Sequence, residues 1–230
     1  MKEMLSNLVF FGVILSIGAY ILGDVLKRKF KSPLFNPLLI STAVTIAVLA
    51  LCGMDYESYC TGGKYLGYFL TPATVCLAIP LYEQFEKLKK NAPAILIGII
   101  SGMLTSFCSI LAMALIMKFS HEEYVTFLPK SITTAIGVGV SEEIGGYVGV
   151  TAAVIVITGI LGNLIADGVF KLFRIKEPVA RGVALGTSSH ILGTVKALEL
   201  GEIEGAISSL SVVTAGIFTV IFAPMFANFI

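Results

Sequence analysis

Few residues of this chain have the types and spacing that chemistry needs, and most fall in two short stretches. In the first, Lys130-Ser131-Ile132-Thr133-Thr134 follows Pro129 directly. A helix that starts beside such a proline leaves its first backbone N–H groups unpaired, and these groups with the helix dipole attract an anion. Lys130 adds a full positive charge, and the hydroxyls of Ser131, Thr133 and Thr134 add hydrogen-bond donors. The combination suits a carboxylate. In the competing reading, Lys130 reaches out to a polar boundary while the hydroxyls bond to the preceding turn.

The second stretch is Gly186-Thr187-Ser188-Ser189-His190-Ile191-Leu192-Gly193-Thr194. Its small residues allow helices to approach closely. Thr187, Ser188 and Ser189 supply hydroxyls for a bound solute. His190, in otherwise apolar surroundings, is a proton relay, a substrate donor or a satisfied core histidine. A Ser189–His190 nucleophile is disfavoured, because adjacent helical residues diverge by about 100° and no third orienting group is evident.

Two further sites are weaker. Glu142 and Glu143 lie between Gly139 and Gly145. In a buried turn, one of them would carry a coupling proton or cation; in an exposed loop, both are solvated. Thr74, just after Pro72, offers a matching half-helix start or simply packs and bonds locally. No phosphate-loop, dinucleotide, zinc-protease or serine-hydrolase motif occurs in a suitable context, so no enzyme chemistry, metal or cofactor is expected. Cys52, Cys60, Cys76 and Cys108 have no metal-binding spacing, and a structural disulfide is not expected.

The elements that position these groups must lie in lipid. Of the 230 residues, 56% are apolar and 13% are charged; a soluble domain has about 25% charged residues. The mean hydropathy is +0.92. A compact soluble protein could not hide so much apolar surface. A net charge of +1 gives no field for nucleic acid.

Apolar runs cover residues 8–26, 34–53, 64–82, 92–117, 148–173 and 206–230, with glycine-, hydroxyl- and charge-containing segments at 125–146 and 183–198. Basic clusters at 27–31, 85–90 and 171–181 belong on one face, the cytoplasmic one. That places the N-terminus outside. It also requires residues 125–146 to enter and leave on the same face, or to be broken without fully crossing, because a full crossing would put the third basic cluster outside. Irregular backbone at that depth survives only inside protein or along a cavity.

Residues 70–75 resemble residues 127–132, with Pro72 over Pro129 at an offset of about 57 residues, and the same offset pairs other positions downstream. The expected fold is therefore an all-α polytopic membrane protein. It is a single domain over 1–230 with about seven to eight hydrophobic segments, broken or re-entrant helices, and an inverted repeat of units 64–117 and 125–173. The carboxylate seat, built from Lys130, Ser131, Thr133, Thr134, Thr74 and Thr187–His190, points to a secondary carrier for small monocarboxylates.

Residues 129–146 (PKSITTAIGVGVSEEIGG), 174–209 (RIKEPVARGVALGTSSHILGTVKALELGEIEGAISS) and 62–84 (GGKYLGYFLTPATVCLAIPLYEQ) resemble the signature stretches of the LrgB/CidB family. The resemblance covers essentially the whole chain. It implies a bacterial or archaeal inner-membrane protein, similar to the membrane domain of the plastidal glycolate/glycerate translocator, with glycolate, glycerate or pyruvate as candidate solutes. It also implies the alternative role of an antiholin-like regulator of murein hydrolase and autolysis, working beside a small holin-like LrgA/CidA-type subunit. A homo-oligomer is expected in the bilayer.

Overall fold

The structure is a computed structural model that describes residues 10–30, 35–76 and 78–230. The expected outside N-terminus falls outside the described residues. All described helices and turns belong to an α fold; no strand occurs among the described residues. The chain divides into two compact units, residues 1–76 and 77–230.

The first unit holds α1 (Phe11–Phe30), α2 (Pro37–Cys52), α3 (Tyr56–Gly67) and α4 (Leu70–Cys76). Asn36 caps α2, its side chain accepting from Leu38 N–H at 2.9 Å, and Pro37 fits the first turn, which needs no N–H donor. Helices α1 and α3 meet where the Ser16 and Tyr59 hydroxyls lie 2.7 Å apart.

The second unit holds α5 (Ala78–Glu83), α6 (Phe85–Met117), α7 (His121–Phe127), α8 (Thr134–Glu143), α9 (Val148–Leu172), α10 (Pro178–Leu200) and α11 (Glu202–Ala227). Among the described residues, three helices are long and apolar enough to cross a bilayer: α6, α9 and α11. The expected span over 64–82 is instead divided among α3, α4 and α5, interrupted at Tyr68-Phe69 and with prolines at 72 and 80 that remove backbone donors.

Each long helix buries only a narrow stripe. In α6 this is Ile95, Ile99, Met103 and Phe107, four residues apart, followed by Ile110 and Ala114. Elsewhere α6 leaves large apolar side chains out, with Ile97 67% and Ile116 81% exposed. Such a helix is unstable in water and suited to lipid, where exposed Ile costs nothing and association rests on packing.

Two segments of the second unit fold back on themselves. The first is residues 121–146. A capping box at Ser120 and Glu123 starts α7. The chain then turns through 128–133, and α8 returns so that Val140 packs with Tyr124, Val125 and Leu128. The open end is tied by Thr126: its hydroxyl accepts from Tyr147 N–H at 2.8 Å, and its carbonyl accepts from the Thr151 hydroxyl at 3.0 Å. This reversal is what entry and exit on one face require.

The second hairpin is α10 itself. His190 has φ 43° and ψ −138°, far from helical values, and splits α10 into arms 178–189 and 191–200. In a straight helix Gly193 would lie about 12 Å along the axis from Leu185. Here its Cα faces the Leu185 carbonyl so closely that a Cβ would overlap it. The paired levels along α9 confirm the reversal. The Arg181 guanidinium lies over the Phe170 ring, Leu185 and Ala197 share a cluster with Ala166, and His190 reaches Ile155.

The long helices fix the direction of the hairpins. The start of α6 packs with Val183 and Ile207, and its end packs with Tyr124 and Val125. The start of α9 meets Thr126, and its end meets Leu185 and Ala197. Helices α6 and α9 therefore run in opposite directions, and the two hairpins enter the bundle from opposite ends.

Candidate functional site

The hairpin tips meet near mid-length of α6 and α9, beside a cavity of about 490 Å³. Lys130 and Ser131 line it from the first tip, and Thr187, Ser188 and Ser189 from the second. Helix α6 contributes Thr105, Ser106 and Ser109, and α9 contributes Thr158. The sequence-predicted cluster is thus largely brought together, although nearly 60 residues separate its two halves.

The polar contacts are specific. Lys130 Nζ donates to Ser131 Oγ at 3.1 Å, and Ser131 Oγ lies 3.2 Å from Ser106 Oγ. The Ser188 and Ser189 hydroxyls lie 2.9 Å apart. No carboxylate pairs with Lys130 among the described residues, so a cation faces the cavity with only hydroxyl partners.

The other predicted residues stand elsewhere. Thr133 is the residue before α8 and Thr134 its first residue; both are half-buried and neither lines the cavity. Glu142 and Glu143 are exposed at the open end of the first hairpin, not at its tip. Thr74 belongs to α4, and its side chain lies outside the described residues.

His190 is 4% exposed and does not line the cavity. Its Nε2–H donates to the Ile155 carbonyl at 3.0 Å, a carbonyl being able only to accept. Beside it, Asn163 Nδ2 donates to the Leu192 carbonyl at 2.9 Å. These bonds hold the turn of the second hairpin against α9. The hairpin also needs room. A Cβ on Gly162 would overlap the Ser189 hydroxyl, and one on Gly186 would sit 2.5 Å from the Ser208 carbonyl of α11.

Two acidic residues pair with basic ones within the second unit. Glu204, in the first turn of α11, is 6% exposed and lies 4.0 Å from Arg181. The hairpin brings the start of α10 alongside the start of α11, which sequence distance conceals. Asp167 pairs with Lys196 at 2.7 Å, an ion pair between α9 and the returning arm of α10.

Sequence reasoning missed Thr105, Ser106, Ser109 and Thr158 as wall residues. The available signal was hydroxyls recurring three to four residues apart on one side of an apolar span. Hydroxyls in such helices ordinarily bond to the previous turn, as Thr105 does to the Ser101 carbonyl at 2.7 Å and Ser109 to the Ser106 carbonyl at 2.7 Å. Only tertiary placement distinguishes a wall from a satisfied turn.

Comparison with known proteins gives consistent matches. The LrgB-like family profile matches residues 16–229. A protein named Antiholin-like protein LrgB from Bacillus cereus (strain B4264) is 37% identical over 225 residues, covering 96% of each chain. A protein of the same name from Bacillus anthracis (strain CDC 684 / NRRL 3495) has the same identity and coverage. No solved structure matches the chain.

Proposed function

The chain belongs to the LrgB-like family of multi-pass membrane proteins, and on that premise we propose that it acts as an antiholin-like regulator. In this reading it restrains murein hydrolase activity and autolysis beside a small holin-like subunit of the LrgA/CidA type. The carrying observation is the identity of 37% over 96% of both chains with proteins named antiholin-like. The test is co-expression with such a subunit in a host lacking its own pair, followed by detergent-induced lysis. Slower lysis than with the subunit alone is expected. An unchanged lysis curve would remove the regulatory role.

A second reading, a secondary carrier for a small monocarboxylate such as pyruvate, glycolate or glycerate, is favoured by one specific observation. Lys130 faces a hydroxyl-lined cavity with no carboxylate partner among the described residues. In this reading Lys130, Ser131 and Thr187–Ser189 hold the anion, and Thr133, Thr134 and His190 support the tips. The inverted repeat belongs to the same reading, since each expected unit ends on one of the antiparallel helices α6 and α9. Counterflow of labelled pyruvate or glycolate into liposomes carrying the purified chain is the test. Exchange above protein-free liposomes is expected; none for any monocarboxylate, with or without the holin-like subunit, rejects the carrier.

The inner-membrane orientation completes both readings, with the N-terminus outside and the loop after α9 inside. A cysteine placed at Lys176 in a cysteine-free background should react with an impermeant maleimide only in inside-out vesicles. Reaction in intact cells would invert the arrangement.

A further inference from the structure

A second cavity, of about 290 Å³, opens where α9 ends and α10 begins, away from the hairpin tips. Its lining includes Lys171, Arg174, Lys176 and Arg181. The only carboxylate in the lining, Asp167, is already engaged by Lys196 at 2.7 Å. Arg181 is held in place: its Nε donates to the Ile175 carbonyl at 2.9 Å, its guanidinium lies over Phe170, and Glu204 sits 4.0 Å away. Lys171, Arg174 and Lys176 make no ion pair among the described residues.

The positive-inside rule explains basic residues on this side but not their convergence on one cavity. A separate feature of the backbone points to a ligand. Arg174 has φ 55°, in the left-handed region. It closes α9 by letting Ile175 N–H reach the Phe170 carbonyl at 2.9 Å. Glycine is the usual residue at such a position, and any other costs about 1–2 kcal/mol. From that position Arg174 lines the cavity beside Lys171 and Lys176. Next to it, Leu172 and Phe173 are 74% and 68% exposed, an apolar edge suited to acyl chains.

We propose that this cavity is a phosphate-binding site at the membrane boundary, formed by Lys171, Arg174, Lys176 and Arg181. The phosphate comes from the headgroup of an anionic lipid or from solution. Guanidinium and ammonium groups around one concavity match the charge and acceptor oxygens of a phosphodiester. The site is independent of the tip cavity and of either functional reading.

The test uses the full chain purified in a non-ionic detergent, with binding read by native mass spectrometry. The probes are dioleoylphosphatidylglycerol, dioleoylphosphatidylcholine and inorganic phosphate. The wild type should retain phosphatidylglycerol over phosphatidylcholine. Arg174→Gly should bind it about fivefold more weakly while melting no lower than wild type, because glycine relieves the backbone. Lys171→Gln with Arg174→Gly and Lys176→Gln should weaken binding about a hundredfold. Lys89→Gln with Lys90→Gln, removing two exposed lysines of α6, should leave it within about twofold. Displacement of the lipid by millimolar phosphate assigns the site to phosphate from solution; resistance to displacement assigns it to lipid. Phosphatidylglycerol binding unchanged in Arg174→Gly and in the triple variant overturns the proposal, as does equal loss in the Lys89/Lys90 variant. If the triple variant fails to fold, Arg174→Gly alone carries the test.

Discussion

The two hairpins solve the same problem by different means. The first reverses over residues 128–133 without any residue of positive φ, and its tip carries a cation. The second reverses at one residue, His190, in a conformation that L-residues rarely adopt, and its tip carries only hydroxyls toward the cavity. The first is anchored at its open end by Thr126; the second is anchored at its tip by Ile155 and Asn163. In the carrier reading, the charge that would attract an anion and the strain that fixes the cavity wall therefore reside in different hairpins. Damage to one should alter affinity, and damage to the other should alter stability.

The largest effect expected from this division is at Lys130. A hydrogen bond to a charged group contributes about 1.5–3 kcal/mol, so Lys130→Met should weaken monocarboxylate binding about 10- to 100-fold. Ser188→Ala, on the opposite tip, should weaken it by about tenfold or less, since a neutral hydroxyl contributes about 0.5–1.5 kcal/mol. Titrating pyruvate or glycolate against purified variants by calorimetry checks the ranking. A greater loss from Ser188→Ala than from Lys130→Met would place the anion on the second hairpin and break the asymmetry.

How much of this was legible in the sequence follows from the range of each signal. Apolar runs of twenty residues announced α6, α9 and α11, because lipid imposes a length on each span. That residues 125–146 do not form one lipid-facing helix was legible from their glycines, Pro129 and charges, which survive at that depth only inside protein or along a cavity. Lys130 and the 187–189 hydroxyls were legible as polar residues in poor lipid-facing helices. The reversal at His190 was not legible, because neither proline nor a helix-ending glycine marks it. Glycines and hydroxyls lie on both sides of it, in 178–189 and 191–200, and none singles out residue 190 as the turn. Of the three roles open to His190 in the sequence, the satisfied core histidine is the one that its ring bond to the Ile155 carbonyl fits. The burial of Glu204 was hidden for the same reason, since only the reversal brings Arg181 to it.

The smallest effect, and the most discriminating for the second hairpin, is at His190 itself. Two contributions act there in opposite directions. The ring hydrogen bond to the Ile155 carbonyl stabilises the turn, by about 1 kcal/mol for a typical bond of this kind. The backbone at φ 43° and ψ −138° costs about 1–3 kcal/mol for any residue with a Cβ. His190→Ala loses the bond and keeps the strain; His190→Gly loses the same bond and releases the strain. The glycine variant should therefore melt above the alanine variant, by a few degrees for a chain of this size. Both should lose less solute affinity than Lys130→Met, because the ring does not line the cavity. A straight helix at this position would give the opposite order, since glycine is the poorer helix former by about 1 kcal/mol. Thermal unfolding of the two variants in the same detergent thus reads the direction of the chain at residue 190, through the sign of one difference.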